Sequence, residues 1–240
     1  MEPYERLILK ELNTWKKTME KKPSIVDKAT KGVQSRINKI IPEKIHKIFT
    51  EAVKQMTRTV ILGAKFTTTR SQNSDSLEII ETGIKERIKF YRSAAAAEGA
   101  VTGFGGFLTG LADFPLWLSI KMKMLFEIAS RYGFDVKDYK ERIYILHIFQ
   151  LTFSSQQHRN HVFSIMVDWE NKKYKLPEDI HKLDWRTFQL EYRDYIDLVK
   201  LFQLIPGIGA AVGLIVNHRL TDKLGKYAIN AYRMRVLLRK

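Results

Sequence analysis

The chain has 240 residues, with 41 lysines and arginines against 26 aspartates and glutamates, and therefore a formal net charge of +15. A hydrophobic fraction of 45% is ordinary for a globular protein, and a mean hydropathy of −0.26 excludes a protein with many membrane spans. The sequence contains no cysteine, which excludes disulfides, thiolate catalysis and cysteine-ligated metal sites. The positive charge favours a polyanionic partner: nucleic acid, an acidic protein or the anionic face of a membrane.

Two amphipathic helices are expected in the N-terminal part of the chain. Residues 1–22 show no basic segment followed by an apolar run, so we expect no signal peptide and a cytoplasmic location. The apolar side of the helix expected there consists of Tyr4, Leu7, Ile8, Leu12 and Trp15. A second helix is expected over 43–61, where apolar residues recur at helical spacing. The basic residues on its opposite side are Lys44, Lys47, Lys54 and Arg58.

The central part of the chain alternates turn signals with helical patterns. The polar run at 67–76 predicts a loop, and a helix is expected to follow it. Asp113, with Pro115 two residues later, predicts the start of a helix, and Gly133 predicts the end of one. Asp138 is expected to cap the next helix, because its side chain can accept a hydrogen bond from the first turn.

The C-terminal part predicts a polar connector and three further helices. The connector spans 171–184 and contains Pro177. The helices are expected at about 185–204, 207–217 and 218–238.

No strong alternating strand pattern occurs, so the sequence predicts an all-α fold. We expect a single multi-helix bundle in which two glycine-rich helical segments, 99–112 and 205–216, pack closely together. The chain divides into a basic N-terminal helical region, 1–70, and a helical domain, 71–240, which are expected to form one continuous fold.

The glycine-rich stretch AAAAEGAVTGFGGFLTGLADFP, at 94–115, is compared first with phosphate-binding loops. A P-loop needs a lysine and a hydroxyl residue after its second glycine, but Leu111 and Ala112 follow Gly110. A dinucleotide fingerprint fails as well, because Leu108 stands where its third glycine is required. The stretch is therefore predicted to make close contacts and to bind no phosphate.

On a helix the glycines of this stretch form a stripe about 60° wide. The stripe consists of Gly99, Gly103, Gly106 and Gly110, and a shorter version is formed by Gly209 and Gly213. Such a stripe lets another helix backbone approach closely. Three alternatives stay open: packing inside the bundle, a shallow hairpin contact with a membrane, and a full span. Asp113 and Pro115 count against the span, because a carboxylate at mid-membrane costs about 2.5–3.5 kcal/mol.

The excess positive charge lies at the two ends of the chain. Residues 1–60 hold 14 basic and 7 acidic side chains, and residues 201–240 hold 7 and 1, so these ends carry +7 and +6. Each basic residue near an anionic surface contributes about 1 kcal/mol to membrane binding. The residues expected to face such a surface are Lys44, Lys47, Lys54, Arg58, Arg219, Lys223, Lys226, Arg233 and Arg235.

A family resemblance is carried by ADFP at 112–115, which ends the glycine stretch, and by two further motifs, YGFDVKDYKERIYIL at 132–146 and IPGIGAAVGLIVNHRLTDKLGKYAINAYRMRVL at 205–237. Together with the glycine stretch they resemble the EcsC family over most of residues 88–240. The resemblance implies a bacterial helical protein without assigned enzymatic activity, associated with an ABC transporter. It carries over no catalytic residue. The positions expected to contact a helix or a membrane are Gly99, Gly103, Gly106, Gly110, Asp113, Pro115, Gly207, Gly209, Gly213 and Asn217.

Other candidate sites fit the sequence less well. His158 and His161 could share a metal, but a solvated helix end explains them better, so we expect no metal and no cofactor. Asn217 and Asp222 are explained by capping and by the helix dipole near a predicted helix start, which is preferred over a catalytic pair. A soluble helical enzyme, hydrolase-like, with Asp113 and His218 in one cleft is kept as an alternative. Nucleic-acid binding ranks lower, because no recognition signature occurs.

The leading expectation is a non-enzymatic helical protein that binds anionic lipid through its basic helices. We expect it to lie in the cytoplasm, peripheral at the inner face of the cell membrane, with ABC transporter subunits as partners. The oligomeric state stays open.

Overall fold

The computed structural model describes residues 3–21, 43–62, 76–103, 114–154, 156–182 and 210–238. Over these residues the chain forms eight α-helices packed into one bundle and no strand, which confirms the all-α prediction. The helices are α1 (Pro3–Glu20), α2 (Glu43–Leu62), α3 (Leu77–Gly103), α4 (Phe114–Arg131), α5 (Tyr139–Phe153), α6 (Gln156–Val167), α7 (Trp169–Lys172) and α8 (Ala210–Leu238). Two short 3-10 helices, Lys173–Lys175 and Ile180–Lys182, follow α7.

The turn between α4 and α5 follows its local sequence. Gly133 adopts a φ of +82°, a conformation that glycine reaches without strain, and α4 ends two residues before it. Asp138 then caps α5, because its carboxylate accepts a hydrogen bond from the Lys140 amide at 2.9 Å. Both signals predicted from the sequence are confirmed.

The central helix of the bundle is α5. Every side chain from Ile143 to Phe153 is buried, so this helix has no solvent-facing side over that length. It packs against α2, α4, α6 and α8, while α1 lies on α6 and α8. The hydrophobic core therefore includes residues of α1 and α2 as well as of the later helices.

Helices α3 and α8 form an antiparallel pair. Glu81 near the start of α3 meets Arg233 near the end of α8, and Arg92 further along α3 meets Asp222 earlier in α8. Helix α4 is also antiparallel to α3, since Glu81 meets Tyr132 just after α4, and Tyr91, further along α3, meets Glu127 earlier in α4. The end of α3, the start of α4 and the start of α8 consequently lie at one end of the bundle. We call this the apolar end, because residues 94–103, 114–120 and 210–217 carry a single charged residue, Glu98.

One glycine permits the close approach of α3 and α8. A Cβ atom at Gly225 would lie 2.6 Å from Cδ1 of Ile88, closer than real carbon atoms come. The contact between the two helices therefore depends on a glycine outside the predicted stripes. Gly99 and Gly103 lie in the last turns of α3, and Gly213 lies in the second turn of α8.

Three details of the sequence interpretation are wrong. Leu7 is 56% exposed, and Met19, one turn beyond Trp15, completes the buried side of α1 in its place. The predicted break between two C-terminal helices is absent, because α8 continues through Asn217. Asp222 therefore lies inside α8, where it forms an ion pair with Arg92 of α3 at 3.2 Å and does not cap a helix start as predicted.

Several predictions fall outside the described residues. They concern the loop at 67–76 up to residue 75, the helix at 185–204 and the individual positions Gly106, Gly110, Asp113, Gly207 and Gly209. Within the described ranges, no helix combines the length and the apolar character that a membrane crossing requires.

Candidate functional site: an apolar groove beside a basic helix face

A groove of about 440 Å³ lies between α2 and the first half of α4. Eleven side chains line it. The apolar lining comes from Ala52, Met56 and Val60 of α2 and from Leu118 and Met122 of α4, all of which are buried. The groove is thus a hydrophobic opening between two amphipathic helices.

The sequence of α2 explains why a basic face borders this groove. At 100° per residue, Lys47, Lys54 and Arg58 fall within an arc of about 40°. All three side chains are exposed. The polar lining residues Glu51 and Gln55 occupy the next arc of the helix, and the apolar lining residues Ala52 and Met56 lie about 140–180° from the centre of the stripe. We call these three residues the basic stripe; of Lys44 only the helical backbone is described.

Glu51 stands between the groove and the basic stripe, and its charge is engaged locally. Its carboxylate accepts a hydrogen bond from the Gln55 amide at 2.9 Å and lies 3.4 Å from the Lys54 ammonium. The Gln55 hydrogen bond, with a smaller effect of Lys54, lowers the pKa of Glu51. The carboxylate therefore stays ionised, and the basic stripe with Glu51 carries a formal charge of +2.

The first turn of α4 exposes apolar surface at the mouth of the groove. Leu116 is 54% exposed, and Pro115, also exposed, contributes to the lining. Of the predicted contact positions, Pro115 is thus placed at the groove. The polar Ser119, one turn further, lies exposed at its rim.

The basic residues of α8 divide into exposed and engaged side chains. Arg219 and Lys226 are exposed, as predicted for residues of a basic surface. Lys223 is half-buried: its ammonium donates to the Thr152 carbonyl at 3.3 Å and lies 5.3 Å from the centre of the Tyr227 ring. The Lys223 ammonium is therefore partly engaged in contacts within the protein and is less available to a surface ligand.

Arg233 and Arg235 correct the predicted surface. Both are buried, with 3% and 5% of their area exposed, so neither can face lipid headgroups in this fold. Arg233 donates to both carboxylate oxygens of Glu81, and Arg235 to both oxygens of Glu141. One signal in the sequence could have predicted this burial: Glu81 lies among apolar residues of a helix, and a buried carboxylate needs a cationic partner.

Two tyrosines complete these buried pairs. Tyr132 donates to Glu81 at 2.9 Å, and Tyr232 donates to Glu141 at 2.7 Å. Burial raises the pKa of both tyrosines well above the usual value, so their hydroxyls stay protonated and act as donors. Sequence reasoning missed this network, which fastens α8 to α3, α4 and α5.

The described part of the structure does not bring the candidate catalytic or metal-binding residues together in one site. His158 and His161 lie on α6, and no group of three or more histidine and carboxylate ligands occurs within the described residues. His218 is half-buried on α8, and its predicted partner Asp113 lies outside the described part of the chain.

Fold and site define a basic all-helical bundle with an apolar groove on its surface. The chain belongs to the EcsC protein family, whose model matches residues 6–237. It is 46% identical over 234 residues to Protein EcsC of Bacillus subtilis (strain 168), a match that covers 97% of this chain and 96% of the relative. It is 27% identical over 252 residues to Uncharacterized protein YdbA of the same organism, covering 97% and 92%. No solved structure matches the chain. The family resemblance seen in the sequence is confirmed.

Proposed function

We propose that this protein binds anionic membrane surfaces peripherally, through the basic stripe and the exposed basic residues of α8. The observation that carries the proposal is the position of the stripe: Lys47, Lys54 and Arg58 lie exposed on one side of α2, the helix that lines the groove together with the start of α4. Basic residues at an anionic lipid surface contribute about 1 kcal/mol each. Three on one helix face, with Arg219 and Lys226 of α8, supply a moderate and reversible attraction.

The apolar end adds a second contribution to membrane binding. Leu116 is exposed there, and the stretches 94–103, 114–120 and 210–217 contain a single charged residue. Apolar side chains beside basic ones suit the boundary between headgroups and acyl chains, where proteins bind without crossing the bilayer. The bundle would rest on the membrane with this end inserted shallowly.

The partner implied by the family resemblance is an ABC transporter, and we propose the same for this chain. Peripheral attachment would bring the bundle to the transporter's membrane plane. Membranes that contain the transporter should then bind more of the purified protein than protein-free vesicles of the same lipids. Equal binding to both would remove the transporter from the proposal and leave the lipid interaction.

The test of surface binding is flotation of the purified chain with vesicles of two compositions. Vesicles rich in phosphatidylglycerol should carry the protein upward, and phosphatidylcholine vesicles should not. Raising the salt from ~0.1 M to ~1 M shortens the Debye length from about 10 Å to about 3 Å and should release most of the bound protein. Flotation with neither composition, or with both equally, would contradict the proposal.

A further inference from the structure

We propose that the groove between α2 and α4 binds an acyl chain of an anionic phospholipid, while the headgroup of that lipid lies at the basic stripe. This inference rests on the proposed function, because it assigns a lipid ligand to the same surface. It goes further, because a surface attraction needs no cavity, whereas the groove would hold one lipid molecule as a ligand.

The size of the groove favours a small ligand over a macromolecule. Its volume of about 440 Å³ falls in the range of about 300–1,000 Å³ that small-molecule sites occupy. Eleven side chains line it, whereas a stable protein interface uses about 20–30 residues on each side. A partner helix or a folded protein would find too little surface here.

The chemistry of the lining fits a hydrocarbon chain. The buried lining residues Ala52, Val60 and Leu118 offer no hydrogen-bonding side chain. Met56 and Met122, one from each helix, have flexible side chains that adapt to irregular apolar ligands. A chain bound there gains about 25 cal/mol for each Å² of apolar surface removed from water.

The polar and charged groups fit the other half of such a lipid. Gln55, Thr59 and Ser119 are exposed at the rim, and the basic stripe lies beyond them on the outer face of α2. Of the basic stripe, Arg58 lies nearest to these rim residues, about 60° from Gln55 around α2, so an anionic phosphate at the rim would meet Arg58 first. The formal charge of +2 on this face, with Glu51 included, favours an anionic headgroup over a zwitterionic one.

The groove also adjoins the part of the molecule expected to touch the bilayer. Its α4 wall begins at Pro115, next to the exposed Leu116 of the apolar end. A lipid acyl chain could therefore pass from the bilayer into the groove without crossing the charged surface of the protein.

The experiment uses dihexanoylphosphatidylglycerol, a short-chain anionic lipid, below its critical micelle concentration, titrated into the full chain by calorimetry. Saturable binding at one site is expected. The variant Ser119→Trp places an indole at the groove rim and should weaken binding at least tenfold. Ser164→Trp, an equal change at an exposed position of α6, should stay within twofold of the wild type. Thermal unfolding of both variants checks that the fold is intact, as expected for exposed positions.

Two further ligands distinguish the contribution of the acyl chains to binding from that of the headgroup. Glycerophosphoglycerol has the headgroup and no acyl chain, and dihexanoylphosphatidylcholine has the chains and a zwitterionic headgroup. Both should bind at least tenfold more weakly than the anionic lipid. Equal affinity for the chainless compound, or unchanged affinity in Ser119→Trp, would overturn the groove site. Wild-type protein that floats with anionic vesicles in a salt-sensitive way but does not bind the short-chain lipid would overturn the groove alone and leave the proposed function standing.

Discussion

Arg233 is held by two carboxylates that differ sharply in exposure. Glu81 is completely buried and takes two hydrogen bonds from the guanidinium, whereas Glu11 is 55% exposed and takes one. Burying a cation costs several kcal/mol, and a partner with matching geometry offsets that cost. The two carboxylates should therefore differ greatly in their importance for stability.

Replacing Glu81 with Gln should lower the free energy of unfolding by about 3 kcal/mol or more, because Arg233 would remain buried with its closest charge partner removed. Glu11→Gln is the matched control and should cost less than about 1 kcal/mol, as expected of a solvent-exposed pair. Urea unfolding of both variants measures the difference. Equal costs would contradict the account of the buried pair.

His147 makes the stability of the fold depend on pH. It is buried beside Trp169, and its Nδ1 lies 3.0 Å from the Gln150 side-chain oxygen. Burial lowers the pKa of His147 from its usual 6.5 to about 4. The unfolded chain therefore takes up a proton on this side chain at a higher pH than the folded chain does, and stability falls as the pH drops through 6.5 toward 4.

Between pH 7.5 and pH 5, His147 should account for a loss of about 2 kcal/mol in the free energy of unfolding. Urea unfolding measures how far the free energy of unfolding falls between the two pH values. This fall should be about 2 kcal/mol smaller in His147→Gln than in the wild type. His181→Gln replaces an exposed histidine and should retain the wild-type difference. An unchanged pH dependence in His147→Gln would show that the side chain protonates without penalty.

At the scale of the elements, two helical glycines that look alike in the sequence should respond oppositely to substitution. A Cβ at Gly225 meets three atoms of Ile88 within 3.0 Å, and Ile88 is itself buried. A Cβ at Gly83 meets chiefly one guanidinium nitrogen of Arg131, at 2.8 Å, the far end of a flexible side chain. Only the first contact lies between packed apolar groups that cannot move aside easily.

Gly225→Ala should therefore destabilise the protein by about 1–3 kcal/mol through overpacking, despite the better helix propensity of alanine. Gly83→Ala should be neutral or stabilising by up to about 1 kcal/mol. Adding Ile88→Val to Gly225→Ala should recover part of the loss, with a coupling above about 0.5 kcal/mol in a double-mutant cycle. Independent effects at 88 and 225 would mean that α3 and α8 do not touch there.

The helices themselves could largely be predicted, because their signals are local. The apolar spacing gives α2 to within about a residue, and Gly133 and Asp138 mark the turn between α4 and α5. The break between two C-terminal helices was predicted wrongly because asparagine and aspartate, the residue types at positions 217 and 222, are common in helix caps. The ion pair of Asp222 with Arg92, 130 residues away in the chain, is invisible to a local pattern.

At the scale of the whole molecule, the site could be predicted only in part. The basic stripe follows from the periodicity of α2, so Lys47, Lys54 and Arg58 were identified correctly as outward-facing. The groove could not be predicted, because it arises only when α2 packs against α4. Arg233 was misplaced for a similar reason: its buried partner Glu81 is 152 residues away in the chain.

The exposed basic residues lie on several helices, so binding through the basic stripe can be distinguished from attraction by net charge alone. The basic stripe lies on α2, which lines the groove and packs against α4 and α5, whereas α1 packs against α6 and α8. Arg6, Lys10 and Lys17 are three exposed cations of α1. A protein attracted only by its net charge of +15 would lose affinity equally when either set is reversed.

The most direct measurement compares anionic-vesicle binding of two triple variants that change the net charge identically. Lys47→Glu/Lys54→Glu/Arg58→Glu should bind at least about 100-fold more weakly than the wild type, since three basic contacts of about 1 kcal/mol each are lost. Arg6→Glu/Lys10→Glu/Lys17→Glu should lose less than about tenfold. Equal losses in the two variants would show that net charge alone attracts the protein, and no loss in the α2 variant would contradict membrane binding through the basic stripe.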